Sequence, residues 1–338
     1  MVEKQLWHPV AASREVRDAP LACTLLGEPL VLWREPGHGG DRVHAWADRC
    51  PHRGARLSLG RVLSGVRGAR LECPYHGWQF GGEGRCQHVP AAPDFVPPAG
   101  HAAQMFEACE RHGLVWVRLA APESALAPVL AEPPLFAPGG EAGWRVVLCG
   151  PYEVATSAPR LVENFLDLSH FGFVHEGWLG ERGHAQVRTG VVEEGAAGLA
   201  VRDAQAWQPR AYAGAEQGAW IAYRYEVQHP YAAVLRKDAA NGDPVSNAIA
   251  LFIRPDAHER CTAWFVMATL GDASSDRDLL AFQDTVFAQD RPVVESQTPR
   301  ALPIGRTAPV TEVHGPADRV SSAYRRYLNR LGITLGTT

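Results

Sequence analysis

Residues 50–78, CPHRGARLSLGRVLSGVRGARLECPYHGW, contain one short pattern twice: Cys-Pro followed closely by His. The first copy holds Cys50 and His52, and the second holds Cys73 and His76. Two cysteines and two histidines can bind a zinc ion, or a 2Fe-2S cluster in which two histidines replace two cysteines on one iron. Zinc sites of this composition usually keep the cysteines together and the histidines together. Here each half carries one of each, which favours a cluster held between two similar loops, each giving one ligand to each iron.

Other residues in the two copies suit rigid metal-binding loops. Pro51 and Pro74 restrict the backbone beside each cysteine, and Gly54 and Gly77 follow the two histidines. An alternative interpretation is that two reduced core cysteines lie beside unrelated histidines. The paired CPHRG and CPYHGW resemble the Rieske iron-sulfur domain, and this resemblance implies that both cysteines and both histidines bind one 2Fe-2S cluster. The gap between the halves is slightly longer than is typical of that family, and its segment VLSGVRG is predicted to form a hairpin tip.

Length and composition limit the remaining possibilities. A chain of 338 residues can form two domains, each with its own core. The formal net charge of -4 and the scattered basic residues give no sign of a nucleic-acid or membrane partner. Seven cysteines, five of them outside the motif and without regular spacing, predict reduced thiols and no disulfide. The first residues lack the apolar core of a signal peptide, and no run of eighteen apolar residues follows. We therefore expect a soluble cytoplasmic protein.

The chain divides into three parts by composition. Short apolar segments separated by Gly and Pro predict a small β domain over residues 1–120. Residues 121–143 are rich in Pro and Ala and have no periodic pattern, which is typical of a linker. Residues 144–338 are predicted to form a second domain that combines strands and helices. No nucleotide-binding motif is present, so electrons must come from another protein.

Three helices and several strands are predicted in the second domain. Ser157 is a candidate N-cap for a helix over 159–170, and two further helices are predicted over 276–290 and 316–332. Strand-like runs lie between the first two helices. The runs NAIALFIR and TAWFVMATL do not alternate between apolar and polar residues, which predicts burial on both faces or beneath a helix.

The stretch NFLDLSHFGFVH offers ligands for a second metal. Iron that activates dioxygen without haem is typically held by two histidines and one carboxylate, with open positions left for oxygen. His170 and His175 are five residues apart, and Gly172 between them is predicted to break the helix and bring the second ring round. Asn164, Asp167 and His170 follow one another at steps of three, which predicts one shared helix face. Taken alone, this pattern could equally consist of two structural histidines.

Downstream of the Rieske pair, the pattern N-x2-D-x2-H-x4-H resembles the catalytic domain of the Rieske non-haem iron oxygenases. The resemblance implies that His170 and His175 bind a mononuclear Fe(II). It also implies that Asp167 is a catalytic residue linking this iron to a Rieske histidine of a neighbouring subunit, and that Asn164 lies near the iron without ligating it firmly. For the third ligand, FAQDRPVVESQ resembles the family segment that points to Asp290. We expect Asp290 at a helix junction before Pro292, with Asp284 as the alternative on the helix surface.

The resemblance covers nearly the whole chain and is strongest to short homotrimeric oxygenases such as vanillate O-demethylase, dicamba monooxygenase and the Rieske oxygenases of saxitoxin biosynthesis. It implies an α+β protein: an all-β Rieske domain, then a catalytic domain with a curved antiparallel sheet flanked by helices, similar to a helix-grip fold. It further implies a terminal oxygenase in a homotrimeric assembly. Such an enzyme uses O2 and electrons from a separate NAD(P)H-dependent reductase or ferredoxin to hydroxylate or oxidatively dealkylate a small organic substrate.

Several alternatives stay open from the sequence. A Rieske ferredoxin, which only carries electrons, or a zinc-binding interaction module would explain the first domain but leave the second unexplained. Within the enzyme class, a monooxygenase, an aromatic ring dihydroxylating dioxygenase and an O- or N-demethylase would all use the same three iron ligands. No motif between about residues 200 and 265 identifies the substrate.

Overall fold

The structure is a computed structural model of residues 1–338. It describes all of them except 37–40, 66–67, 122–131, 141, 196–197, 210–216, 238–245, 306–307 and 309. Residues 122–131 and 141 of the predicted linker over 121–143, and two residues of the predicted hairpin tip, therefore lie outside the described residues. The chain separates into two compact units, Lys4–Glu123 and Met1–Glu3 with Ser124–Thr338.

The first unit is built from two antiparallel sheets. The larger has the strand order β1-β10-β9-β4-β3-β2, and the smaller has the order β5-β6-β7-β8. Its strands are β1 His8–Ala12, β2 Leu21–Leu25, β3 Glu28–Glu35, β4 Arg42–Ala47, β5 Arg61–Leu63, β6 Arg70–Glu72, β7 Gln79–Gly81, β8 Cys86–His88, β9 Met105–Arg111 and β10 Leu114–Arg118. Leu63 of β5 pairs with Arg70 of β6, so the predicted hairpin joins these two strands.

The second unit is built on a long antiparallel sheet with helices. The strand order is β11-β18-β17-β16-β15-β14-β12, and β13 pairs with β14. Its elements are β11 Arg145–Val154, α1 Ala158–Leu166, α2 Phe171–Val174, β12 Val187–Arg188, β13 Val191–Gly195, β14 Gly198–Gln208, β15 Ala219–His229, β16 Ala232–Lys237, β17 Ser246–Ala257, β18 Arg260–Leu270, α3 Asp276–Ser296 and α4 Arg319–Leu331. Strands β17 and β18 are buried along most of their length, as their non-alternating sequences predict. The α+β class is confirmed.

The first predicted helix is shorter than expected. Ser157 caps α1, its side chain accepting a hydrogen bond from the N–H of Arg160, as predicted. However, α1 ends at Leu166 rather than near residue 170, because the Asp167 side chain accepts a hydrogen bond from the N–H of Ser169 at 2.8 Å. A side chain that pairs with the backbone two residues on competes with the helix and forms a turn. The prediction that Asn164, Asp167 and His170 share one face of a single helix is therefore wrong.

The predicted break at Gly172 is also wrong, because this glycine lies inside α2. A Cβ at Gly172 would lie 2.9 Å from the carbonyl oxygen of Glu181, so the glycine allows a close approach of two backbone segments. The chain instead leaves the helix at Asp167–Ser169, before His170, so His170 and His175 lie at the two ends of α2.

Helix α3 continues through Pro292, contrary to the predicted helix junction. Ser275 and Asp278 form a reciprocal cap at its first turn, and the helix runs on to Ser296 with Pro292 inside it. A proline here removes one backbone hydrogen bond to the carbonyl four residues earlier, and the helix tolerates this loss. Asp290 consequently lies within a continuous helix. Among the described residues, no helix is long and apolar enough to cross a membrane.

Candidate metal centres and substrate cavity

The two Cys-His loops have the same backbone geometry. In each, the cysteine N–H donates to the carbonyl five residues on, at 2.8 Å in both loops. The N–H four positions after the cysteine donates back to the cysteine carbonyl, at 2.9 Å for Cys50 and 3.1 Å for Cys73. Gly54 and Gly77 hold this last position with φ values of +74° and +71°, which favour glycine. Two equivalent loops are what a cluster with one cysteine and one histidine from each side requires.

The side chains of these loops separate by type. Cys50 and Cys73 are buried, whereas His52 and His76 lie on the more exposed side with ring centroids 4.7 Å apart. The His52 ring stacks on Trp78 at 4.4 Å with an angle of 5° between the planes. Burial raises the pKa of Cys50 to about 11, and desolvation together with His76 lowers the pKa of His52. Two thiols inside and two imidazoles outside fit a Rieske 2Fe-2S cluster.

Three other predicted ligands meet in the second unit. The Nε2 atom of His175 lies 3.2 Å from Oδ1 of Asp290, and the Nε2 atom of His170 lies 3.5 Å from the same oxygen. One ligand atom from each residue lies within 4.8 Å of the other two. Two imidazoles and one carboxylate around a common point fit a mononuclear Fe(II) that keeps open positions. We refer to His170, His175 and Asp290 as the triad.

Each triad residue is held by a further polar side chain. The Nδ1 atom of His170 lies 3.1 Å from Oδ2 of Asp167, and Nδ1 of His175 lies 2.8 Å from Oε1 of Gln289. A ring that donates from Nδ1 leaves Nε2 free for a metal. Asn164 donates from Nδ2 to Oδ1 of Asp290 at 3.2 Å, which orients the carboxylate. Asp167 and Asn164 therefore both lie next to ligands, in positions that suit supporting roles.

The alternative carboxylate, Asp284, lies outside this group. Its Oδ1 accepts a hydrogen bond from the Tyr152 hydroxyl at 2.5 Å, so this carboxylate is paired with a tyrosine. Asp290, by contrast, faces both histidine rings.

Neighbouring polar groups shift the pKa of His175 and of Asp167. Burial lowers the pKa of His175, but the Asp290 carboxylate and Gln289 outweigh burial and raise it above the ordinary value. Burial raises the pKa of Asp167, but its contacts with His170 and Ser169 outweigh burial and lower it. Asp167 is therefore ionised at neutral pH.

A cavity of about 670 Å³ adjoins the triad. One face of α3 lines it with Leu279, Val286 and Asp290, and the strands supply mainly apolar and aromatic side chains. Trp178 and Phe282 also line the cavity, and their ring centroids lie 5.8 Å apart. The size and apolar lining are typical of a site for a small organic molecule.

Sequence reasoning missed Gln289 and the cavity side chains of the strands. In the sequence, its position next to Asp290 is the one feature that could have suggested a role for Gln289 at the triad. Tyr223 and Tyr225 of β15 both line the cavity, as do Asn247 and Ile249 of β17. Their spacing of two identifies a strand face, but nothing local tells which face meets the cavity.

Comparison with known proteins gives the same division of the chain. Residues 6–105 match the Rieske [2Fe-2S] domain, and residues 154–333 match the vanillate O-demethylase oxygenase C-terminal domain. Methylxanthine N1-demethylase NdmA of Pseudomonas putida is 34% identical over 337 residues, which cover 97% of this chain and 89% of NdmA.

Two further proteins are informative. The structure of NdmA from Pseudomonas putida CBB5 with caffeine matches with a TM-score of 0.78 and 32% identity, covering 96% of this chain and 90% of that one. Dicamba monooxygenase bound to dicamba matches with a TM-score of 0.79 and 25% identity, covering 98% and 97%. Oxidoreductase NdmD of Pseudomonas putida is 38% identical over 118 residues, which are 34% of this chain and 19% of NdmD.

Proposed function

The chain belongs to the Rieske non-haem iron oxygenases of the vanillate O-demethylase type, and we propose that it removes a methyl group from a nitrogen or oxygen atom of a small ring compound. The observation that carries this proposal is the triad facing a mostly apolar cavity of about 670 Å³. Relatives that match nearly the whole chain include methylxanthine N1-demethylase NdmA and dicamba monooxygenase bound to dicamba. In the proposed reaction, R–NCH3 or R–OCH3, O2, NAD(P)H and H⁺ give R–NH or R–OH, formaldehyde, water and NAD(P)⁺.

The Rieske cluster supplies electron storage and the mononuclear iron supplies oxygen activation when both are bound. Cys50, Cys73, His52 and His76 would hold the cluster, and the triad would hold the iron. Asp167 and Gln289 keep the two triad rings turned with Nε2 toward Asp290. Apolar side chains on α3 and the sheet keep water from the reacting methyl group and position it beside the triad.

We further propose that residues 1–120 are the Rieske domain, 121–143 a linker and 144–338 the catalytic domain. The family resemblance favours a homotrimer in which a Rieske histidine of one subunit approaches Asp167 of the next. Asp167 suits this role because its side chain is 29% exposed and lines an open surface depression of about 570 Å³. A separate NAD(P)H-dependent reductase or ferredoxin would supply the electrons, which favours a cytoplasmic location where NAD(P)H is present.

Formaldehyde release tests the proposed reaction directly. We expect enzyme reduced with dithionite and then freed of it to convert a methylxanthine or a methoxybenzoate to its demethylated product in a single turnover with O2. Formaldehyde should appear in equal amount to that product. Chemical reduction makes the result independent of the natural reductase. A ring-hydroxylated product without formaldehyde would show that the chain is a hydroxylase instead.

Iron retention at the triad should depend on pH. Because the pKa of His175 is raised, protons compete with iron for Nε2 at a higher pH than they do for an ordinary histidine. The pKa of His52 is lowered, so protons compete less at the cluster. On dialysis at falling pH, we expect the mononuclear iron to be lost first while the visible Rieske absorption persists. Simultaneous loss of both signals would contradict this order.

A further inference from the structure

The cavity beside the triad has rows of side chains that change from apolar to polar along the sheet. Strands β15 to β18 pair in register, so their inward residues lie side by side. The middle row is apolar apart from one phenol hydroxyl, and its members are Met267, Ile249, Leu235 and Tyr225.

The next row, displaced by two residues along strands β16 to β18, is polar. Thr269 pairs with Asn247, Asn247 pairs with Lys237, and all three line the cavity. We call Thr269, Asn247 and Lys237 the polar row. Directly paired residues on one face of a sheet have Cβ atoms about 5 Å apart. One ligand group can therefore reach two members of the row at once.

The polar row lies at the end of the cavity away from Asp290. Arg145 of β11 pairs with Thr269 and forms an ion pair with Asp276 at 3.6 Å, so the row is level with the first turn of α3. Asp290 comes fourteen residues later in that helix, about 21 Å along its axis. A molecule touching both ends must be elongated.

Thr269 carries a polar atom without a partner. Thr269 is only 3% exposed. Its Oγ1 atom is buried and makes no hydrogen bond within the described part of the chain. Buried hydroxyls are nearly always hydrogen-bonded, because leaving one unpaired is unfavourable. Asn247 beside it offers a carboxamide to the same space. A hydroxyl and an amide N–H2 together suit an oxygen that accepts two hydrogen bonds.

The charges at this end favour an uncharged ligand group. Asp272 and Asp278 also line the cavity, near the start of α3, so among the described lining residues at this end two carboxylates accompany the ammonium of Lys237. These two carboxylates would repel a carboxylate on the substrate, whereas they would not repel the uncharged oxygen of an amide or a ring carbonyl.

Building on the proposed function, we infer that the substrate is an elongated, uncharged ring compound with its methyl group at the triad and a carbonyl oxygen bound by Thr269 and Asn247. The apolar middle row holds the ring between these two ends. Thr269 and Asn247 are thus specificity-determining residues that contact the substrate far from the reacting carbon.

Three matched compounds test this inference on the enzyme with both metal centres loaded. They share one elongated N-methylated framework and differ only at the distant position: 5-(biphenyl-4-yl)-1-methylindole, its 4′-carboxamide and its 4′-carboxylate. We expect calorimetry to give a Kd for the carboxamide at least about tenfold lower than for the other two. Thr269→Val should remove this preference by weakening carboxamide binding alone, and Thr269→Ser should retain it.

Thr285→Val is the matched control, because Thr285 is half-buried on α3, is not among the residues that line the cavity, and donates its hydroxyl to the Ala281 carbonyl. This variant should bind all three compounds as the unmodified enzyme does. Equal binding of the carboxamide and the unsubstituted compound, tighter binding of the carboxylate, no measurable binding of the carboxamide, or equal weakening of every compound by Thr269→Val would each overturn the inference. If the carboxamide binds as expected but releases no formaldehyde, the result supports substrate binding by the polar row and contradicts the proposed demethylation.

Discussion

Replacing Asp290 by alanine is expected to remove the mononuclear iron and abolish turnover while the Rieske absorption remains. Among the described residues, Asp290 is the carboxylate that faces both His170 and His175, at 3.5 and 3.2 Å from their Nε2 atoms. Without it, two imidazoles alone would have to hold the ion. Metal analysis should show about one iron fewer per chain than in the unmodified enzyme, which carries about three when both centres are filled.

Asp284→Asn is the matched control for this change. Asp284 lies on the same helix, but its carboxylate is paired with the Tyr152 hydroxyl rather than with the histidines. We expect this variant to keep its full iron content and turnover. Full activity in Asp290→Ala together with iron loss in Asp284→Asn would show that the other aspartate is the ligand.

The local motifs were predictable from sequence because their geometry is set within a few residues. Each Cys-His loop closes on itself through hydrogen bonds between a cysteine and residues four and five positions on. Proline and glycine impose that conformation, so the letters of CPHRG and CPYHGW already specify the loop. The contact of Asp167 with His170 is likewise local, although the turn that makes it was not anticipated.

The features that escaped prediction depend on competition between elements or on long-range packing. Asp167 could continue a helix or form a turn with Ser169, and local preference does not decide which hydrogen bond wins. Pro292 usually ends a helix, but packing of α3 against the sheet retains it. Gln289 meets His175 across 114 residues. The face of β17 that meets the cavity depends on the register of the whole sheet.

Asp167→Asn is expected to slow turnover strongly while leaving both metal centres occupied. In the structure, Oδ1 of Asp167 accepts from the N–H of Ser169 and Oδ2 faces Nδ1 of His170. A carboxylate can accept on both oxygens, whereas an amide has one acceptor and one donor. If the amide oxygen keeps Ser169, its NH2 group faces a ring nitrogen that also donates. The proposed link from His170 to a neighbouring subunit's Rieske histidine would then be lost or reversed.

Gln289→Leu separates a linking role from simple orientation of a ligand. Gln289 holds Nδ1 of His175 as Asp167 holds Nδ1 of His170, but it has no part in the proposed contact between subunits. Loss of an orienting partner typically costs about 10–100-fold in metal affinity or activity. We expect that range for Gln289→Leu, and a larger loss of turnover for Asp167→Asn without loss of iron.

Rapid mixing of reduced enzyme with O2 and substrate measures the step that distinguishes these variants. In Asp167→Asn, the reduced Rieske absorption should decay far more slowly than in the unmodified enzyme, and in Gln289→Leu samples corrected for iron content it should decay at a similar rate to the unmodified enzyme. Decay in Asp167→Asn as fast as in the unmodified enzyme would rule out the linking role. Loss of the mononuclear iron from Asp167→Asn would instead make Asp167 a support for the His170 ring, because an amide facing Nδ1 favours the tautomer whose proton occupies the ligating Nε2.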